Sequence, residues 1–178
     1  MELTDLLPLP HWLAIEKEIN RRFNINASIF NTDGIRITDF KAWSNELCPQ
    51  IKATEKGQSF ICAVAHMNLA NLAQHTGEPV VETCDAGLVK MVVPIFVGDQ
   101  FIGAASACGA LCEGGEVESY LIHKITEIDE SKIQSLSEGI PCLSRLQIDA
   151  MAAYIRDRMA NIVDQQTIRN GPLTRNRV

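Results

Sequence analysis

The sequence predicts a single α+β domain: an antiparallel sheet of about five strands covered by helices, with a long helix at its C-terminal end. Apolar residues recur at helical spacing near both ends of the chain, and short apolar segments separated by glycine-containing turns fill its middle. With 178 residues, 46% apolar and 21% charged, the chain suits one globular domain with one core. We assign residues 1–168 to this domain and expect a disordered tail over 169–178, which is polar and contains glycine and proline.

The first elements are a helix and a hairpin. Leu9–Phe23 carries its large apolar residues on one helical face. Asn26–Phe30 is a short apolar segment, and Ile35–Thr38 alternates as a half-buried strand does. Because Asp33-Gly34 between them is a turn signal, the two segments are predicted to pair as a β-hairpin.

Two helices follow in the sequence. Asn45–Lys52 is predicted to be short and to be capped by Asn45. Lys56–His75 is longer and is closed by Gly77, a residue suited to the left-handed position after a helix. Its apolar stripe is wide, which predicts burial between the sheet and another layer.

Three consecutive strands form the predicted centre of the sheet: Pro79–Thr83, Leu88–Val97 and Gln100–Cys108. Pro94 lacks a backbone donor, so the second of these strands is predicted to lie at an edge or to bulge there. The third strand contains the small residues Gly103–Ala107, which leave space for a helix or a ligand against it.

The C-terminal part is predicted to be helical. Short helices over Glu116–Lys124 and Asp129–Leu136 precede a long one, for which Ser144 and Gln147 have the spacing of a capping box. Its apolar stripe suits either docking on the core or pairing with a second copy of the chain. The stripe consists of Ile148, Met151, Ile155, Met159 and Ile162.

Charge and hydropathy exclude several classes of protein. The net charge is −6, and basic residues do not cluster outside the tail, which argues against a nucleic-acid partner. No apolar run approaches the ~20 residues of a membrane span. The N-terminus lacks the basic and apolar regions of a secretory signal. We therefore expect a cytoplasmic location, with a larger membrane-anchored receptor as a further setting for such a domain.

Six cysteines are present, and disulfides are a poor explanation for them in a reducing cytoplasm. Cys84 and Cys108 follow the first and third central strands, which a meander brings to one rim, and Cys112 comes just after. Thiolates suit zinc, copper(I) or an iron–sulfur cluster, whereas buried thiols also serve as small apolar groups. The candidate metal ligands are Cys48, Cys62, Cys84, Cys108 and Cys112.

Catalytic patterns are weak. A cysteine nucleophile would need a base such as His66 or His123 and an orienting carboxylate, and no nucleophile motif surrounds any serine or cysteine. Phosphate-binding loops are also absent from the sequence. We therefore expect no enzymatic activity, with a small cysteine-dependent enzyme as an alternative.

The chain resembles the PocR-type sensory domain, named for the propanediol-utilisation regulator, over about residues 9–109. The order of elements also matches the PAS and GAF sensor architectures. The resemblance departs from many relatives at Ala65, where they carry the second cysteine of a Cys-x-x-Cys pair, and at Ala110, where they often have Gly-Gln after the last strand. The residues that carry it are Leu47-Cys48, Cys62, Thr76-Gly77-Glu78-Pro79, Cys84-Asp85-Ala86-Gly87-Leu88, Val93-Pro94-Ile95, Ile102-Gly103 and Gly109.

The resemblance implies a bacterial sensory domain that binds a small molecule, such as a short diol or another simple hydrocarbon derivative. It also implies an output module: a kinase, a chemoreceptor, a cyclase or a transcriptional regulator. We expect signalling through a homodimer of the last helix. The alternative is a redox or gas sensor whose cysteines hold an iron–sulfur cluster or another metal, or oxidise reversibly without one. The candidate ligand-binding residues are Trp43, Met67, Cys84, Gly87, Gly103, Ala105 and Cys108.

Overall fold

The structure is a computed structural model that describes residues 1–170. Its helices are α1 (Leu3–Leu6), α2 (Leu9–Phe23), α3 (Leu47–Ala53), α4 (Val64–Thr76), α5 (Ser119–Thr126), α6 (Glu130–Ser137) and α7 (Arg145–Asn170). Its strands are β1 (Asn26–Phe30), β2 (Val80–Thr83), β3 (Val89–Val97), β4 (Gln100–Cys112) and β5 (Cys142–Leu143). A π-helical segment, Gly57–Ala63, leads directly into α4.

The α+β class with a five-stranded sheet is confirmed. Four strands pair antiparallel in the order β1-β4-β3-β2, and the predicted meander of three central strands is present. The fifth strand, β5, pairs in parallel with the end of β4, at Leu111 and Cys112. The architecture is consistent with the PAS and GAF sensor folds. Across the part of the chain that the structure covers, no helix combines the length and apolar character needed to cross a bilayer.

One face of the sheet packs against α1, α2 and α7. The apolar stripe of α7 is buried there, from Ile148, which is 2% exposed, to Ile162, which is 4% exposed. Of the two roles open to this stripe, docking on the core is therefore the one observed. Helix α7 continues to Asn170, and the rest of the expected tail, 171–178, lies outside the described residues.

The other face of the sheet is covered by α3, the π-helical segment and α4. A second apolar cluster extends from this layer to α5 and α6, and it contains Leu47, Ile61 and Ile122. The single helix predicted over Lys56–His75 is therefore π-helical in its first two turns and α-helical beyond. Gly77 closes it in the left-handed conformation, as predicted.

The predicted N-terminal hairpin is wrong in its second strand. Ile35–Thr38 does not form a strand, and a single bridge joins Phe30 to Arg36. The reason lies in Glu16 on α2, whose carboxylate accepts the N–H of Ile29 at 2.6 Å. Because this side chain occupies the free edge of β1, a regular ladder cannot form there.

Pro94 and Ser144 have the predicted roles. Strand β2 begins at Val80 opposite Val92, so Pro94 lies beyond the segment of β3 that pairs with β2, where β3 is an edge. A register irregularity follows Pro94 between Ile95 and Phe96. At the start of α7, Ser144 N–H donates to the Gln147 side chain at 2.8 Å. The N–H of Gln147 donates in turn to Ser144 Oγ at 3.3 Å, which completes the capping box.

Candidate functional site

A cavity of about 120 Å³ lies between the sheet and the layer formed by α3, the π-helical segment and α4. An apolar cavity of about 150 Å³ holds benzene, so this space suits a molecule of a few non-hydrogen atoms. The residues that line it are Asn26, Ser28, Phe30, Gly34, Trp43, Cys48, Ile51, Lys52, Gln58, Ile61, Cys62, Ala63, His66, Met67, Cys84, Ala86, Leu88, Lys90, Ser106, Cys108 and Gly109.

The floor of the cavity is a row of polar side chains across three adjacent strands. Cys108 on β4 pairs with Asn26 on β1 and with Lys90 on β3. The next row on the same face contains Ser28 and its partner Ser106. Because side chains alternate between the faces of a sheet, these two rows present their functional groups to the same cavity.

Asn26 is fixed in orientation by its neighbours. Its Oδ1 accepts the backbone N–H of Ser44 at 2.7 Å, which leaves Nδ2 as a donor. Asn26 is 6% exposed, and Nδ2 is buried without a hydrogen-bond partner in the described structure. A Cβ on Gly109 would lie only 2.6 Å from this Nδ2. The site therefore contains one unused amide donor held in place.

Lys90 is a buried cation without a protein partner. It is 7% exposed, and within the described residues it makes no hydrogen bond or ion pair. Glu82 is its register partner on β2 but is exposed and does not reach it. A second cation, Lys52 on α3, lines the cavity and lies 5.6 Å from the centre of the Trp43 ring.

Four cysteines from different parts of the chain line the cavity. Cys48 lies on α3, Cys62 in the π-helical segment, Cys84 after β2 and Cys108 on β4. Asn45 holds Cys48 by accepting its N–H at 2.7 Å and by donating to its Sγ at 3.4 Å. Over residues 1–170, no group of three or more Cys, His, Asp or Glu side chains is placed to hold a metal ion.

Comparison with known proteins identifies the family. The model of the sensory domain found in PocR matches residues 5–167, nearly the whole chain. The chain belongs to the PocR sensory domain family. No curated protein and no solved structure matched it.

Three of the thiols that line the cavity of this PocR domain, those of Cys48, Cys62 and Cys84, are held neutral. Burial raises the pKa of Cys62 to about 11, and Lys52 and Lys90 oppose that change. Burial also raises the pKa of Cys48 and of Cys84, and the neighbouring thiol of Cys108 adds to the effect. A neutral thiol is a weak nucleophile, so these groups contribute as small, polarisable walls.

His66 forms part of the helical wall of the cavity. Its ring stacks on Phe30 with centroids 3.8 Å apart, and its Nδ1 is buried without a partner in the described structure. Burial lowers the pKa of His66 to about 3, with Lys90 and Lys52 adding to the shift. The imidazole is therefore neutral at physiological pH and does not cancel or add to the charge of the cavity.

Four of the seven residues predicted to bind a ligand line the cavity: Trp43, Met67, Cys84 and Cys108. Gly87, Gly103 and Ala105 do not line it. Gly87 packs in its turn so tightly that a Cβ would lie 2.1 Å from the carbonyl oxygen of Glu116.

Gly103 and Ala105 belong to the opposite face of the sheet. A Cβ on Gly103 would lie 2.4 Å from the carbonyl oxygen of Phe30 and 2.7 Å from Leu3 of α1. Ala105 is buried in the core beneath α2 and α7. Their small size therefore accommodates the neighbouring backbone and helices, and the ligand-facing positions of β4 are the alternate residues.

Of the five cysteines predicted as metal ligands, the structure gathers four around the cavity. Cys112 instead packs against the core cluster on the α7 side of the sheet. The predicted neighbourhood of Cys84 and Cys108 is observed, since both line the same space. The expectation that Cys112 joins them is not met, because β4 continues to Cys112 and carries it past the cavity.

Sequence reasoning missed the polar residues of the site: Asn26, Asn45, Lys90 and Ser106. Lys90 had a usable signal, since it is a lone charge within the apolar run Leu88–Val97. A charged residue in a central strand is costly to bury and therefore marks a function or a partner. The two asparagines stand in unremarkable polar surroundings, and their roles arise from contacts distant in sequence.

Proposed function

We propose that this domain senses a small organic molecule, which binds in the cavity and changes the state of an attached signalling module in the bacterial cytoplasm. The observation that carries the proposal is the cavity itself, since it lies between sheet and helices in a domain of a sensory family. Its lining combines apolar walls with a few polar groups, which is the usual composition of a small-molecule site.

The route from ligand to output follows from how the layers are arranged. Gln58, Ile61 and Cys62 of the π-helical segment line the cavity, and π-helical turns concentrate at functional sites because they are poorly bonded. Strand β3 carries Lys90 on the cavity face, whereas its neighbour Met91 is in the core beneath α7. A ligand that moves β3 or β4 therefore also moves the surface on which α7 rests.

We place the output module beyond α7, and we propose a homodimer in which α7 contributes its outward side. The buried stripe of α7 is already occupied by the sheet. Leu146 is 79% exposed and lies on the side that remains free. The module would be a kinase, a chemoreceptor, a cyclase or a regulator.

A non-catalytic role fits both the family and the site. Membership of a sensory family favours binding over turnover. Catalysis by a cysteine would need a thiolate with a base at hydrogen-bond distance. The thiols of Cys48, Cys62 and Cys84 are neutral, and in the described residues no cavity thiol is hydrogen-bonded to His66.

A second candidate function is metal-based redox or gas sensing. The observation that favours it is the presence of four thiols on one cavity, from Cys48, Cys62, Cys84 and Cys108. Such a site would need the thiols to move together and to lose their protons on binding. Anaerobically purified protein that contains iron and sulfide and absorbs visible light would support this candidate, and colourless, metal-free protein would eliminate it.

The proposed function is tested by a thermal-shift screen of small acids, amides, alcohols and diols. A ligand that binds the folded state alone raises the unfolding midpoint with its concentration. Ser28→Leu fills the cavity from a position whose side chain has no hydrogen bond in the described structure, so it should abolish any shift. The matched control is Ser135→Leu, on the exposed side of α6, which should retain the shift. No response across the panel would contradict the proposal.

A further inference from the structure

The cavity is positively charged although the protein as a whole is negative. The chain carries a net charge of −6, yet Lys52 and Lys90 both line the cavity. Among the described residues that line it, none is an aspartate or a glutamate. Burial keeps the thiols of Cys48, Cys62 and Cys84 neutral, so they do not balance the two cations.

The floor of the cavity has hydrogen-bond donors with no acceptor to bind. The ammonium of Lys90 is a donor at every proton and has no partner in the described structure. Asn26 Nδ2 is also a fixed donor without a partner, because its Oδ1 is committed to Ser44. Lys90 and Asn26 flank Cys108 on adjacent strands, and both line the cavity.

Apolar side chains from the sheet and from the helical layer also line the cavity. Phe30, Ile61 and Leu88 contribute to its lining, and the volume of about 120 Å³ limits the ligand to about six non-hydrogen atoms, the size of benzene. A suitable ligand therefore has an anionic acceptor at one end and a short apolar body at the other.

We propose that the ligand of this cavity is a short-chain monocarboxylate, whose oxygens accept hydrogen bonds from Lys90 and Asn26. This inference rests on the proposed function and specifies it. A carboxylate supplies two acceptor oxygens and one negative charge, and charge-assisted hydrogen bonds of this kind are about twice as strong as neutral ones. A neutral alcohol or diol supplies an acceptor but leaves the ammonium uncompensated.

The decisive comparison uses matched probes on the unmodified domain. Calorimetric titration with sodium propionate, with propanamide and with propane-1,2-diol should show propionate binding at least tenfold more tightly than either neutral compound. Acetate and butyrate extend the series to shorter and longer bodies. If a neutral compound binds as tightly as propionate, the carboxylate inference is overturned and the sensor proposal stands. If nothing in the series binds, both fail.

Two substitutions test whether the carboxylate binds at Lys90. Lys90→Met keeps most of the length of the side chain but removes its charge, so it should weaken propionate binding at least tenfold and leave propanamide unaffected. Glu82→Gln alters the exposed register partner of Lys90 and should change neither affinity. Undiminished propionate binding by a folded Lys90→Met variant would overturn the inference. Should that variant not fold, the ratio of acid to amide affinity in the unmodified domain decides the question alone.

Discussion

At the scale of single residues, three buried side-chain atoms have no hydrogen-bond partner in the described structure: Asn26 Nδ2 and His66 Nδ1, whose residues line the cavity, and Arg36 Nε, whose residue does not. Glu16 is fully buried, and its carboxylate is bonded by Ile29 N–H and by the hydroxyl of Thr38. Ser106 donates to the carbonyl of Met91 at 2.9 Å. By contrast, the buried Lys90 has no partner in the described structure. Because buried polar groups are nearly always paired, this exception supports the proposal that a ligand binds beside Lys90.

His66 should make stability depend on pH. Burial lowers its pKa in the folded domain to about 3, whereas the ordinary pKa of a histidine is 6.5. As pH falls below about 6.5 the unfolded chain takes up a proton that the folded domain does not, so stability present above that pH is progressively lost. Between pH 7.5 and 5 the loss due to His66 is about 2 kcal/mol at most.

Urea unfolding of the wild type and of His66→Phe across this pH range measures the effect. The variant keeps an aromatic ring against Phe30 but has no titrating group, so its stability should vary less with pH. His11→Gln, at an exposed position, should follow the wild type. Equal pH dependence in wild type and His66→Phe would show that the imidazole is not buried as a neutral group.

At the scale of elements, the sequence predicts well which helices and strands form. It predicts poorly which face of the sheet each residue of a strand occupies. The helices and the central meander follow from periodicity and turn residues, because those signals are local. Strand β4 has small residues on both faces, so its sequence does not alternate and does not reveal which face lines the cavity. The structure shows Ser106 towards the cavity and Ala105 towards α2 and α7.

Long-range contacts explain the other differences between expectation and structure. The second strand of the N-terminal hairpin is absent because Glu16, which is distant in sequence, occupies the edge of β1. Cys108 and Cys112 lie on opposite faces of the sheet because Gly109 forms a bulge between them. At this bulge the pairing of β4 with β3 shifts by one residue between Val89 and Lys90. Neither event has a local sequence signal beyond a single glycine.

Gly109 should resist substitution. Its φ is +104°, and a Cβ would lie 2.6 Å from Asn26 Nδ2 and 2.8 Å from Ser44 Oγ. Gly109→Ala should therefore add a packing cost of about 1–3 kcal/mol to the backbone strain. Gly98→Ala is the matched control, because φ there is also positive but a Cβ meets nothing within 4 Å. Equal loss of stability in chemical unfolding of the two variants would contradict the crowding at Gly109.

At the scale of the whole molecule, the sheet separates the cavity from α7. The π-helical segment and α4 cover one face, and α7 covers the other. Side chains on adjacent positions of β3 reach both layers, as Lys90 and Met91 do. In the proposed mechanism the ligand and α7 therefore lie on opposite faces of one sheet, so that a shift of the strands couples the two.

The central claim is that a small molecule occupies this cavity, and amide hydrogen exchange tests it most directly. Exchange is measured with and without propionate, propanamide and propane-1,2-diol, each at saturating concentration. The account predicts that at least one compound slows exchange in Gly57–Ala63 and in β4 around Ser106, and that Ser28→Leu removes this protection. Unchanged exchange in both segments with every compound, or protection confined to surfaces away from the cavity, would contradict it.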